Sequence, residues 1–227
     1  MSAPQTEMTH ASAKGFDTRD ASDALSILAA AQVAAATATQ DAVHEIAAAA
    51  RMAADSLNAG GRLIYAAAGS SGLMAMADAV ELPGTFGIDR DRIVILFAGG
   101  IDALPDMPGV GAHDCLIALT ASGYTPYPMA AAEAARQAGA RTIGIANNAG
   151  AALFDRVDIA ICLSTPPEVI AGSTRMGAGT AQKIALNMFS TMVAVHLGHV
   201  HDGYMVNVVA DNAKLRDRAR RIVMDVT

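Results

Sequence analysis

The chain has 227 residues, of which 52% are hydrophobic but only 4% aromatic, and it carries a formal net charge of −6. That length supports one sizeable α/β domain, burying roughly 70–75% of the surface that its unfolded chain exposes. The negative charge argues against a nucleic-acid or anionic-membrane partner. The nearest approach to a membrane-length apolar run, Ile184 to Leu197, is broken by Asn187, Ser190 and Thr191.

Residues 1–19 read as a polar, poorly ordered arm without the apolar region of a secretory signal, and residues 20–227 as a single domain. Asp20–Thr37 and Gln40–Leu57 carry apolar residues at helical spacing and predict two alanine-rich helices, the second stopped by Asn58-Ala59-Gly60-Gly61. Arg62–Ala67 is a continuous apolar run and predicts a buried parallel strand. A helix over Ser71–Ala79 and a strand over Arg92–Ala98 follow. Ile101–His113, with Pro105, Pro108, Gly109 and Gly111, reads as a loop. Then come a strand (Cys115–Thr120), a helix (Tyr127–Gln137), two strands (Arg141–Ala146 and Val157–Leu163), a long helix (Gly177–Leu197) and a charged helix (Val209–Val223). Strands alternating with helices predict βαβ units with right-handed crossovers. Cys115 and Cys162 fall inside strands and read as free core thiols, as expected in a reducing cytoplasm.

Two segments share one device. Tyr65-Ala66-Ala67-Ala68-Gly69-Ser70-Ser71-Gly72 and Leu119-Thr120-Ala121-Ser122-Gly123-Tyr124-Thr125-Pro126 each read as strand, tight Ser/Gly loop, then helix. Such a loop offers backbone N–H groups and hydroxyls at a helix N-terminus, where the dipole favours an anion. Ser122, Gly123 and Thr125 can share the oxygens of a phosphate without any Lys or Arg. The plain alternative is an N-cap with a turn glycine, but the repetition at Gly69, Ser70, Ser71 and Gly72 favours a phosphorylated small molecule at the carboxyl edge of a parallel sheet. Neither loop fits G-x-x-x-x-G-K-[ST] or G-x-G-x-x-G, which argues against a nucleoside triphosphate or dinucleotide. Ser173 and Thr174, ahead of the long helix, could complete a phosphate or sugar site or simply cap that helix.

The loops resemble the sugar-phosphate-binding SIS (sugar isomerase) domain. Gly60–Tyr65, Glu81–Gly87, Ala121–Tyr127 and above all Gly172–Met188 are similar to the N-acetylmuramic acid 6-phosphate etherase family, and Met205–Val208 and Asn212–Arg216 continue the match. The resemblance implies a flavodoxin-like α/β/α sandwich around a five-stranded parallel sheet, a sugar 6-phosphate ligand to which Lys183 contributes, a homodimer or higher homo-oligomer, and no metal or organic cofactor. It places the acid/base glutamate at Glu81 and matches Glu168 to the proton-shuttling glutamate of SIS isomerases. A base working near neutral pH needs its pKa raised by burial, and Leu82, Pro83 and Phe86 suggest such a setting for Glu81. The chain departs from the etherase pattern at Leu73 and Tyr124, where arginines are usual. It also lacks the second acid of a longer loop after Gly99-Gly100, a place that Asp102 or Asp106 could fill. Three functions are compatible with these residues: an etherase-type lyase, an aldose–ketose isomerase, or a non-catalytic sugar-phosphate sensor. His196, His199 and His201 crowd the end of the long helix, where cationic side chains are ordinary; the alternative is a contribution to the sugar site across a dimer interface.

Overall fold

Five parallel strands form one sheet with helices on both faces. The computed structural model describes residues 4–98, 107 and 109–226. The elements are α1 (Ala21–Thr37), α2 (Val43–Asn58), β1 (Leu63–Ala67), α3 (Gly69–Phe86), β2 (Ile93–Phe97), β3 (Cys115–Thr120), α4 (Pro126–Gln137), β4 (Arg141–Ala146), β5 (Ile159–Cys162), α5 (Gly177–His196), a short hairpin of β6 (Val200–His201) and β7 (Tyr204–Met205), and α6 (Ala213–Val226). The sheet order is β2-β1-β3-β4-β5, and every pairing in it is parallel. This is the flavodoxin-like arrangement, whose order reverses between β1 and β3.

Side chains leave the strands alternately for the two faces, as the period of two requires. Leu63, Tyr65, Ala67, Ile117, Leu119 and Ile145 meet α2, α3 and α5, whereas Ile64, Ala66, Leu116 and Ala118 meet α4 and Leu153. Alanine sets the helix-to-sheet distance: Ala49, Ala50 and Ala53 on α2 and Ala131, Ala132 and Ala135 on α4 are fully buried. α2 ends where glycine allows it, with Gly60 at φ +87° and the Gly61 N–H returning to the Ser56 carbonyl. β1 and β3 are anchored at their starts by Asp114, whose carboxylate accepts from the Arg62 backbone N–H (2.8 Å) and guanidinium (2.8 Å). Burial pushes the Asp114 carboxyl up, but the Arg62 and Gly111 hydrogen bonds outweigh that and hold it below its ordinary value.

Three expectations change. Residues 4–19, read as a loose arm, carry 3-10 turns at Gln5–Glu7 and Phe16–Thr18, and Thr6 is buried. α3 is far longer than Ser71–Ala79: it runs through Pro83 to Phe86 and stops at left-handed Gly87. Cys162 is half-buried, whereas Cys115 is fully enclosed and burial pushes its thiol up to about 12. Ala21–Asn58 has the length and mean hydropathy (1.3) of a membrane span, yet α2 within it packs on the sheet; α1 lies on α5 and leaves Leu25 and Val33 exposed.

Candidate functional site

The first Ser/Gly segment is itself the opening turn of α3. Only Ala68 separates β1 from Gly69, which takes φ +55°, and the helix begins there. Ser70 is half-buried, and Ser71 and Gly72 are buried. The first amides of a helix have no intrahelical acceptor, so Gly69, Ser70 and Ser71 offer N–H groups at the positive end of an 18-residue dipole. A Cβ at Gly72 would sit 2.3 Å from the Phe97 ring, so glycine is what lets the end of β2 close on this turn.

The second segment is a true loop, Ala121–Thr125, between β3 and Pro126, the first residue of α4. Buried Thr120 organises it. Its hydroxyl pairs with that of Thr125 at 2.7 Å, lies 3.4 Å from that of Ser122, and accepts from the Gly123 N–H at 3.3 Å. Ser122 Oγ also accepts from the Tyr124 N–H at 3.2 Å. Gly123 stands at φ +84°, and a Cβ there would fall 2.1 Å from that of Ala151, so no other residue fits. Asn148, just beyond β4, supports the loop: its Nδ2 donates to the carbonyls of Ala121 and Ser122, each at 3.1 Å.

The two segments face one another across a cleft of about 470 Å³ lined by Ala68, Gly69, Ser122, Tyr124, Thr125 and Tyr127. It lies at the carboxyl ends of β1 and β3, where the strand order reverses and ligands of open α/β sheets bind. Among the described residues no Lys or Arg lines it. An anion there would be held by amides, hydroxyls and a helix dipole.

The other residues named from the sequence lie elsewhere. Glu168 is buried, and its two oxygens accept from the amides of Gly177 and Ala178, each at 2.9 Å. Through these two bonds Glu168 caps α5. Ser173 and Thr174 belong to the turn leading into α5, where the Thr174 carbonyl accepts from the Gly179 N–H at 2.9 Å. Neither lines the cleft.

Glu81 and Lys183 form a second group. Glu81 is exposed on α3, so the burial expected of it is not supplied within the chain: Leu82 and Phe86 turn inward while Glu81 turns out. Twelve residues at a rise of 1.5 Å separate it from Gly69, about 18 Å along the helix. Lys183 is exposed on α5. Buried Asp78, one turn before Glu81 on α3, accepts from the Tyr65 hydroxyl (2.9 Å) and from Ser190 Oγ (2.7 Å). Burial raises its carboxyl from the ordinary 3.8 to about 6, against the two hydroxyl bonds; the Glu81 charge adds to the rise and the Lys183 charge opposes it. Asp102 and Asp106 lie outside the described residues. Of the histidines at the end of α5, His199 keeps a buried Nδ1 without a hydrogen-bond partner. Among the described residues no three His, Cys, Asp or Glu side chains gather as a metal site.

Thr120, Asn148 and Asp78 went unassigned in the sequence. A threonine ending an apolar strand and an Asn-Asn pair following one are polar residues at the sheet edge where ligands bind, a signal that could have singled out the first two.

A sequence profile of the SIS domain matches residues 56–197. The N-acetylmuramic acid 6-phosphate etherase of Deinococcus radiodurans is 43% identical over 240 residues, spanning 98% of this chain and 79% of that protein. Its namesake in Thermobifida fusca is 44% identical over 237 residues, spanning 98% and 78%. Among solved structures, a phosphoheptose isomerase from Francisella tularensis superposes with a TM-score of 0.59 at 19% identity, covering 78% of this chain and all of that one, and so shares the fold. By profile, by sequence and by the sheet order just described, the chain belongs to the N-acetylmuramic acid 6-phosphate etherase family of SIS-domain proteins.

Proposed function

We propose that the chain binds a sugar 6-phosphate in the β1/β3 cleft and cleaves the lactyl ether of N-acetylmuramic acid 6-phosphate. The observation that carries the reading is the convergence of two helix N-termini and the Ser122 and Thr125 hydroxyls on one cleft at the strand-order reversal. In the open-chain sugar the C1 aldehyde acidifies the C2 proton. A carboxylate base takes that proton, the electrons form a C2–C3 double bond, and the C3–O bond to lactate breaks. The departing lactate oxygen takes a proton from water, the hydroxide so formed adds at C3, and the base returns its proton to C2, leaving N-acetylglucosamine 6-phosphate.

Glu81 is the base in this reading, and its position implies a homo-oligomer. A phosphate at Gly69 and a C2 carbon reached by Glu81 of the same chain would lie too far apart for one hexose, because about 18 Å of α3 separates them. A second copy bringing its own Glu81 to the cleft closes that gap and supplies the burial a base needs. Apolar surface suited to such an assembly is present. A groove of about 620 Å³ between α2 and α5 is lined by Val43, Ile46, Met188 and Met192, and α1, which packs on α5, exposes Leu25 and Val33. A charged sugar phosphate does not cross a membrane unaided, which fits a cytoplasmic location for the protein that uses it.

Proton NMR of the protein with N-acetylmuramic acid 6-phosphate in D₂O tests the reading. Free lactate is expected. Exchange at C2 without lactate would indicate isomerase-type chemistry, and binding without either would indicate a sensor. Glu81→Gln should abolish turnover and leave the phosphosugar affinity within a few-fold; equal turnover would remove Glu81 from the mechanism.

A further inference from the structure

The loop Ala121–Thr125 is held from behind. Three consecutive carbonyls leave it for the segment after β4. That of Ala121 accepts from the Asn147 N–H at 3.0 Å, those of Ala121 and Ser122 accept from Asn148 Nδ2 at 3.1 Å, and that of Gly123 accepts from the Leu153 N–H at 3.1 Å. A planar trans peptide sets each carbonyl antiparallel to the N–H that follows it. Drawing these three carbonyls back therefore turns the amides of Ser122, Gly123 and Tyr124 away from Asn148. Ser122, Tyr124 and Thr125 line the β1/β3 cleft, whereas Asn147 and Asn148 do not. The direction in which the loop presents its donors is thus decided outside the cleft.

Asn148 can hold the loop in only one of its two amide orientations. Its side-chain oxygen accepts and its nitrogen donates; turned over, it would set an oxygen against the Ala121 and Ser122 carbonyls. What fixes the orientation comes from 142 residues away. The Thr6 N–H, which can only donate, meets Asn148 Oδ1 at 3.1 Å, and Thr6 Oγ1 accepts from Asn148 Nδ2 at 3.0 Å. Thr6 is 1% exposed and Asn148 4%, so bulk water does not replace a lost partner. Thr6 sits in the 3-10 turn Gln5–Glu7, and none of residues 4–8 lines the cleft.

We propose that residues 4–8 are a strap that sets the cleft loop through Asn148, with Thr6 and Asn148 as positioning residues for anion binding. Affinity for a sugar phosphate then depends on a segment that never touches it. The inference rests on the sugar-phosphate reading above. Isothermal titration of the full chain with glucose 6-phosphate tests it. Thr6→Val keeps the shape of the side chain and removes its acceptor. It should weaken binding about 3-fold or more, and Asn148→Ala about 10-fold or more, as the loss of one and of several hydrogen bonds allows. Thr6→Ser, which keeps the hydroxyl, should stay within about twofold of wild type. In the Asn148→Ala background Thr6→Val should change the affinity by less than about twofold, because the route through the asparagine is already cut. Unchanged affinity in Thr6→Val overturns the strap, as does an equal loss in Thr6→Ser or an equal loss from Thr6→Val with and without Asn148. A wild-type protein that binds no glucose 6-phosphate overturns the sugar-phosphate reading. The strap itself is then decided without ligand by the amide NMR resonances of Ser122 and Gly123. They should move in Thr6→Val and stay in Thr6→Ser; resonances unmoved in both overturn it.

Discussion

Asp78→Asn should change how stability depends on pH, and the structure gives the size and sign. The buried Asp78 carboxyl is raised from 3.8 to about 6. A folded-state value above the unfolded one means that the folded chain holds the extra proton between those limits. The group's contribution to stability is therefore fully present below pH 3.8 and lost as pH rises through about 6. The whole span corresponds to about 3 kcal/mol. Between pH 4.5 and pH 8, where comparison is practical, about 2 kcal/mol of it disappears. Asparagine cannot ionise, yet it keeps a carbonyl for one of the two hydroxyls, Tyr65 and Ser190, while the other can turn to accept. Urea unfolding of both proteins at fixed concentration across that pH range gives the difference directly. Relative to wild type, Asp78→Asn should gain about 2 kcal/mol on going from pH 4.5 to pH 8, with most of the gain complete by pH 6.5. A difference that stays constant within about 0.5 kcal/mol, less than the group's pKa shift requires, would show that Asp78 is not the proton-holding group and would refute the reasoning.

Other substitutions separate binding from folding. Ser122→Ala with Thr125→Ala removes two hydroxyls from the cleft; affinity for glucose 6-phosphate by titration should fall at least about 10-fold, since hydrogen bonds to charged groups are worth about 1.5–3 kcal/mol each. Glu168→Ala leaves two buried amides of α5 without acceptors and should cost about 2–3 kcal/mol in urea unfolding, whereas Glu168→Gln should keep most of the turnover; inactive but fully stable Glu168→Gln would restore a chemical role to this residue. Gly123→Ala puts a methyl 2.1 Å from Ala151 at a left-handed φ, so it should lower Tm by several degrees and weaken phosphosugar binding together. An unchanged Tm there would mean that the loop has a second backbone arrangement.

The strands were legible to within two residues because buried parallel strands are uninterrupted apolar runs, as in Cys115–Thr120. The two Ser/Gly segments were legible as strand-to-helix junctions because each follows an apolar strand and opens a helix. α3 runs past the predicted end at Ala79 and through Pro83-Gly84. In the last turn a proline forfeits only one bond, and the helix ends instead at Gly87. Glu81 is exposed within one chain although Leu82 and Phe86 are buried, because neighbours in sequence point to different sides of a helix. The pairing of Thr6 with Asn148 spans 142 residues, and no local pattern announces it. The Asp202-Gly203 turn between β6 and β7 carries a hairpin signature, but its two-residue strands are too short for any alternation to show.

The alanine faces of α2 and α4 have a consequence for how the family can drift. A methyl group has no rotamers to lose on burial, so these contacts form at little entropic cost. Their strength comes from how near the helix backbone lies to the sheet. A larger side chain at Ala50 or Ala132 has nowhere to go without lifting a whole helix, and lifting α4 would move the loop ahead of it. In a saturation library these fully enclosed alanines should therefore tolerate glycine better than valine, the reverse of what a leucine-filled core would show, and sequence change should collect instead on the exposed sides of α1 and α6.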